Sequence, residues 1–488
     1  MSEHVKYRTA TQLLAQLAKG ETTSVELVEY YFDRIAQFNG PLNAVVQQYK
    51  SSALKDAMQA DKERQAGKAK GILHGLPCTI KDSFDVQGWL TTSGANHLKN
   101  NRAAQDAPAI ARLRAAGMIF MGKTNVPKMT ADWQTYNDLY GTTNSPWDLS
   151  RSPGGSSGGA AVALAVDFTP VEFGSDLFGS MRVPAHYTGV YAHRCSLGLV
   201  SVRGHIPGGG PEDTTEPDLS TAGPMARCAA DLRLMMQAVS SFWITPPRIP
   251  DFSRYQDRKQ YRVCTWFNVP NHPIDSQVEK RLQDLVEKLK AQPGVVVEEA
   301  MPNGIDPEQL FDVAVKLSGR LVGTALNARQ RLTAGLASLG FRLLSHVQDV
   351  PEGMASYYKG MTNDSEEQAT TDRLRGEYSA LIKELFSHYD VLLMPVSPVM
   401  AFHHMQQPVN KRKLKINGTA YSYNEHLFWN MLPTVFGLPA TIYPLAKPEG
   451  EFPCAIQIIS GHFNDDIAID FAEFCEGITG GFTQPEGY

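Results

Sequence analysis

Residues 141 to 224 are dense in glycine, serine and proline, yet short apolar pieces interrupt them. A flexible linker would account for the glycine. It would not account for Ala160 to Val166, which reads as a buried helix. So much glycine inside folded structure demands backbone angles that other residues rarely adopt. The stretch is therefore expected to be folded, and it clusters hydroxyls at Ser152, Ser156, Ser157, Ser175 and Ser180.

Helices and apolar strands alternate around it. Thr23-Ser24-Val25-Glu26 has capping-box spacing, and Val28, Tyr31, Phe32 and Ile35 share the face that follows. The first 65 residues are predicted helical, with Asn39-Gly40 stopping this helix. A strand should reach Ile80. Asp106 should cap a helix that starts near Pro108 and runs to Gly117, ahead of a strand at Met118 to Met121. Tyr378 to Phe386 then predicts a helix, and Val391 to Met394 a strand. Residues 305 to 385 predict a mostly helical lobe. Such alternation argues for an α/β fold with a mixed or parallel sheet.

The 488 residues are 42% apolar and 20% charged, which excludes a disordered chain. Lys plus Arg is 46 against 51 Asp plus Glu, a net charge of −5, with no basic run. That balance argues against nucleic-acid and anionic-membrane partners. No stretch has the apolar length of a membrane span, and the start lacks the apolar core of a signal peptide. Cys78, Cys195, Cys228, Cys264, Cys454 and Cys475 form no Cys-x-x-Cys pair, so no disulfide framework, zinc site or other metal is predicted. A cytoplasmic setting is expected.

Three local patterns compete. Gly117 to Thr124 fits the phosphate-loop pattern G-x-x-x-x-G-K-[ST]. Its centre, Met118-Ile119-Phe120-Met121, is bulky and apolar, and Pro127 follows, so it reads as a strand end. Gly155 to Gly159 fits the nucleophile elbow G-x-S-x-G around Ser157, but no apolar strand precedes it. None of the 13 histidines has a spacing that marks it as a partner. The third pattern is a constellation. Ser152 to Gly159 is followed by Gly174-Ser175-Asp176-Leu177-Phe178-Gly179-Ser180-Met181-Arg182-Val183-Pro184-Ala185, and Gly75 to Asp82 lies upstream with Lys81. Two Gly/Ser turns supply a nucleophile and exposed amides, and a lysine in an apolar setting can act as base. From the residues alone, a serine–lysine hydrolase and a pair of structural turns both stay open.

These segments, in this order and spacing, resemble the amidase signature family. Further matches are Gly122 to Asn125, Gly141 to Asp148, Thr221 to Arg227, Asp390 to Pro395, Gly437 to Ala440 and Ala455 to Ile459, so the resemblance spans nearly the whole chain. It implies one compact α/β/α domain over residues 1–488, with a large, mixed, mostly parallel sheet covered by helices. Within it, 1–65 is a helical segment, 66–230 the signature core, 305–385 a substrate-side lobe and 386–488 the rest of the core. It implies Ser180 as nucleophile, Ser156 after a cis peptide bond as bridge, and Lys81 as base. The oxyanion hole falls on the amides of Leu177, Phe178, Gly179 and Ser180. The implied activity is hydrolysis of a small-molecule amide, with esters as a side activity, no cofactor, and a monomer or homodimer. Two alternatives are the amidase subunit of a glutamine-dependent amidotransferase and a catalytically altered homologue.

The second alternative arises from Phe178, because the family pattern has glycine there. Were φ positive at that position, phenylalanine would be strained. Ser157, Ser175 and Asp176 are candidate hydrogen-bonders behind the reacting groups, or plain turn residues. Trp133, Tyr136 and Tyr140 line the pocket or pack the core. Arg182 could orient a carboxylate substrate, but reads first as one half of a buried ion pair.

Overall fold

The computed structural model describes residues 4–488 except 209, 211, 214, 259, 301–303 and 345–352. The strands of the first half are β1 (Val45–Gln48), β2 (Pro77–Lys81), β3 (Ile119–Thr124), β4 (Tyr136–Asn137), β5 (Gly141–Thr142), β6 (Val171–Asp176), β7 (Tyr191–Arg194) and β8 (Thr221–Ala226). The second half adds β9 (Tyr261–Thr265), β10 (Val295–Glu299), β11 (Val391–Pro395), β12 (Lys413–Ile416), β13 (Thr419–Ser422), β14 (Ala440–Pro444) and β15 (Ala455–Ile459). Eleven of them form one sheet in the order β1-β3-β2-β6-β8-β7-β14-β15-β11-β9-β10.

The sheet is mixed, as expected. Its parallel pairs lie in two flanks, β3-β2-β6 and β11-β9-β10. From β6 across to β11 every pairing is antiparallel. Neighbouring residues of a strand face opposite sides, yet every residue of β2, β3, β6, β8, β11, β14 and β15 is buried. Both faces are therefore covered. The Gly158–Ala165 helix, made of glycine, alanine, valine and leucine, is buried along its whole length. No helix among the described residues is long and apolar enough to cross a membrane.

Several local expectations are corrected. The first 65 residues are not all helical, because β1 pairs antiparallel with the edge of β3. Asn39-Gly40 does not stop the second helix, which runs Ser24–Leu42 and ends where Asn43 turns left-handed at φ 51°. The Asn39 side chain instead accepts from the Ala44 and Val45 amides beyond that end. Asp106 caps no helix. Its carboxylate is held by Arg114 and the Gln87 amide, and Pro108 opens the Pro108–Ala115 helix unaided. The Gly117 to Thr124 segment is buried throughout and forms strand β3 from Ile119 onward. The expected lobe is helical over Pro307–Gly323, Ala328–Leu344, Met354–Gly360 and Ser365–His388. Its residues 345–352 lie outside the described residues.

Candidate active site

β2 and β6 run parallel side by side, so their carboxyl ends finish together. Lys81 is the last residue of β2, and Ser175 and Asp176 are the last two of β6. Open α/β sheets characteristically place their sites at such ends. The loop after β6 carries Leu177 to Ser180 and enters the Arg182–Thr188 helix. The loop before the Gly158–Ala165 helix brings in Ser156, whose peptide bond from Gly155 is cis. A side chain at Gly155 would meet the Asp132 carbonyl at 2.5 Å, so only glycine fits this approach.

Lys81 and Ser156 are brought together. Their Nζ and Oγ lie 2.8 Å apart, and both side chains are buried. Lys81 Nζ also meets Ser175 Oγ at 2.9 Å and the Ser175 carbonyl at 3.3 Å. Burial pulls the lysine down to about 7, against the opposing pull of Asp176 and Glu172. Glu172, on β6, is itself pushed up to about 7 by burial.

Ser180 sits half-buried on the facing loop. Its carbonyl accepts from the Ser157 amide at 2.9 Å, which ties the two loops together. Its hydroxyl has no hydrogen-bond partner among the described residues. Ser157 also turns its own hydroxyl toward the Ser175 carbonyl at 3.5 Å.

The loop amides divide into two sets. Gly179 N–H donates to Asp176 Oδ1 at 3.0 Å, so that donor is already committed. The amides of Leu177, Phe178 and Ser180 have no acceptor among the described residues. Phe178 is not among the residues with positive φ, so the anticipated strain is not realised. The left-handed position is Gly179 at φ 92°, where a Cβ would also strike the Asn430 side chain at 2.7 Å. The Phe178 carbonyl accepts from Trp133 Nε1 at 2.7 Å. The Trp133 ring stacks on His426 at 5.3 Å. Tyr136 sits elsewhere in role, its hydroxyl accepting from Arg412 Nη2 at 2.6 Å. Tyr140 accepts from Gln47.

Asp176 is the loop's electrostatic anchor. It accepts from the amides of Gly179, Met181 and Arg182, and pairs with the buried Arg182 guanidinium at 2.8 Å. Burial raises the carboxyl, but the guanidinium of Arg182, then that of Arg194, more than offsets it and holds the group well below the usual carboxylate range. Arg182 spends its remaining donors on Asn430, Thr434 and Gln457, so it is an ion-pair residue and leaves none for a substrate carboxylate. Asp176→Asn leaves that charge uncompensated, which costs about 3–5 kcal/mol for a broken buried pair. A large drop in melting temperature is expected, and thermal unfolding beside wild type checks it.

Among the described residues, one group of metal-ligand types lies apart from this site: His193, Cys195 and Asp465, all buried. His193 bonds Asp465 and Thr441, and Asp465 accepts from the Ser196 amide and hydroxyl. His193, Thr441, Asp465 and Ser196 satisfy one another as a core network, and the Cys195 thiol meets Met236 Sδ at 3.4 Å.

A family model described as Amidase matches residues 26–468. Fatty-acid amide hydrolase 2-A of Danio rerio is 28% identical over 98% of this chain and 90% of its own. A glutamyl-tRNA(Gln) amidotransferase subunit of Chromohalobacter salexigens is 32% identical over 93% of each chain. A bacterial aryl acylamidase of the amidase signature enzymes superposes with a TM-score of 0.80 at 23% identity, over 98% of this chain and 97% of that one. At that identity the likeness speaks for the fold.

Proposed function

Because the chain belongs to the amidase family, whose members hydrolyse the carbon–nitrogen bond of amides, we propose that it cleaves a small-molecule carboxylic amide through an acyl-enzyme on Ser180. The observation that carries this reading is the buried Lys81 amine, 2.8 Å from Ser156 Oγ. Neutral Lys81 takes the Ser156 proton as Ser156 takes that of Ser180. Ser180 Oγ bonds to the carbonyl carbon, and the amides of Leu177, Phe178 and Ser180 face the developing oxyanion. One such donor is typically worth about 2.7–4 kcal/mol of transition-state stabilisation. The carbon–nitrogen bond then breaks, and the departing amine takes the proton back through Ser156. Water attacks the ester by the reverse relay, releasing the acid and restoring Ser180.

The base requirement fixes a pH dependence. With Lys81 held near about 7, kcat/KM should fall below that pH, by about tenfold per unit once the amine is protonated. A pH–rate profile on any hydrolysed amide checks this. A flat profile down to pH 5 would exclude Lys81 as base.

The relative that belongs to an amidotransferase favours a second reading, in which this chain releases ammonia from glutamine for a partner. A panel of fatty-acyl, aryl and simple primary amides beside glutamine separates the two. Hydrolysis of the former by the isolated chain supports a stand-alone amidase. Turnover of glutamine alone, and only in a complex, supports the amidotransferase role.

A further inference from the structure

The Ser175 hydroxyl lies between two nitrogens, Lys81 Nζ at 2.9 Å and His205 Nε2 at 2.7 Å. The other ring nitrogen of His205, Nδ1, is 2.9 Å from the Pro207 carbonyl oxygen. A carbonyl only accepts, so Nδ1 carries the proton of the neutral ring. Burial, reinforced by the nearby Lys81, pulls His205 down to about 3, which keeps the ring neutral. Nε2 then offers a lone pair and no proton. Ser175 must donate to it, and Ser175 Oγ turns only lone pairs toward Lys81.

This settles the amine as well. A neutral lysine has two N–H bonds and one lone pair. Ser175 presents two acceptors, its hydroxyl and its carbonyl, the latter 3.3 Å away. Both N–H bonds are drawn there, and the lone pair is left for Ser156 at 2.8 Å. The ring is fixed by the loop that follows Lys81 and strand β2. His205 pairs with Phe84 in a backbone bridge, and its ring stands edge-on to that of Phe84 at 4.9 Å.

The geometry points to His205 as a positioning residue: by fixing the direction of the Ser175 proton, it reserves the Lys81 lone pair for Ser156. This rests on the reading of Lys81 as base. Without an acceptor at position 205, the Ser175 proton has one remaining target, the Lys81 lone pair, where it competes with Ser156.

The test reads the rate at which a fluorophosphonate probe labels Ser180 in the full chain. In that reaction Ser180 Oγ bonds to phosphorus, fluoride leaves, and the proton passes to the base. His205→Leu should label about 10- to 100-fold slower than wild type, the size of loss seen when the partner that orients a metal-ligating side chain is removed. His205→Gln restores an acceptor toward Ser175 and a donor toward Pro207, and should recover to within about threefold. Ser175→Ala removes the misdirected proton, so His205→Leu should cost nothing further in that background. Such non-additivity is the mark of residues acting through one another. A merely structural His205 would slow both backgrounds alike, and that result overturns the proposal. So does wild-type labelling in His205→Leu, or a folded His205→Gln as slow as His205→Leu. Lys81→Met separates the two levels. If it labels at the wild-type rate, the base reading fails and takes this inference with it. If it is dead, each His205 outcome bears on His205 alone.

Discussion

Ser180→Ala should lose amide hydrolysis by at least about 10⁴-fold while keeping its fold and melting temperature. The loss follows from the absence of an atom to carry the acyl group. The unchanged stability follows from the environment. The Ser180 hydroxyl has no hydrogen-bond partner among the described residues, so its removal strands no buried donor or acceptor. Substrate affinity should change little. Kinetics beside a thermal melt check both halves. A variant that hydrolyses at more than a hundredth of the wild-type rate would place the nucleophile elsewhere.

Lys81→Met should be nearly as inactive, with a loss of at least about 10³-fold, yet it should melt no lower than wild type at pH 7. Burial holds the Lys81 amine near about 7 in the folded chain, below its ordinary 10.5. Between those values the unfolded chain binds the proton and the folded chain does not. Wild-type stability therefore falls as pH drops through that window. At pH 7 the penalty is about 4 kcal/mol, since each unit is about 1.4 kcal/mol. Methionine removes it, less the cost of leaving Ser156 and Ser175 oxygens without their donor. Melting curves at pH 7 and pH 9 test the sign. Wild type should gain on Lys81→Met as pH rises. A variant that melts far below wild type at both pH values would mean that the lysine is a structural ion and no strained base.

Much of this arrangement was legible in the residues. The glycine-rich stretch had to be folded because Ala160 to Val166 has nothing polar to show to water, and the whole Gly158–Ala165 helix is buried. The bulky centre of the Gly117 to Thr124 pattern marked a strand, and it is one. What stayed hidden depends on how the chain turns and on what packs against it. The edge strand β1 is four residues long, three of them only partly buried or exposed, so it shows no strand-like alternation. The Gly179 amide has the same sequence context as its neighbours, and only the fold shows Asp176 accepting from it. His205 carries no local motif. Its own turn sets the Pro207 carbonyl on one ring nitrogen, and only the fold brings Ser175 of β6 to the other. Asp106 has the right residue type for a cap, but Arg114 and Gln87 claim its oxygens.

In this mechanism a buried lysine activates Ser180 through Ser156. Its most direct test is intact-mass analysis after fluorophosphonate treatment of wild type and Ser180→Ala, with the adduct mapped to a peptide. A single adduct is expected on wild type, mapped to Ser180 and absent from Ser180→Ala. An adduct that persists in Ser180→Ala, or a folded wild type that takes no label at all, would contradict it.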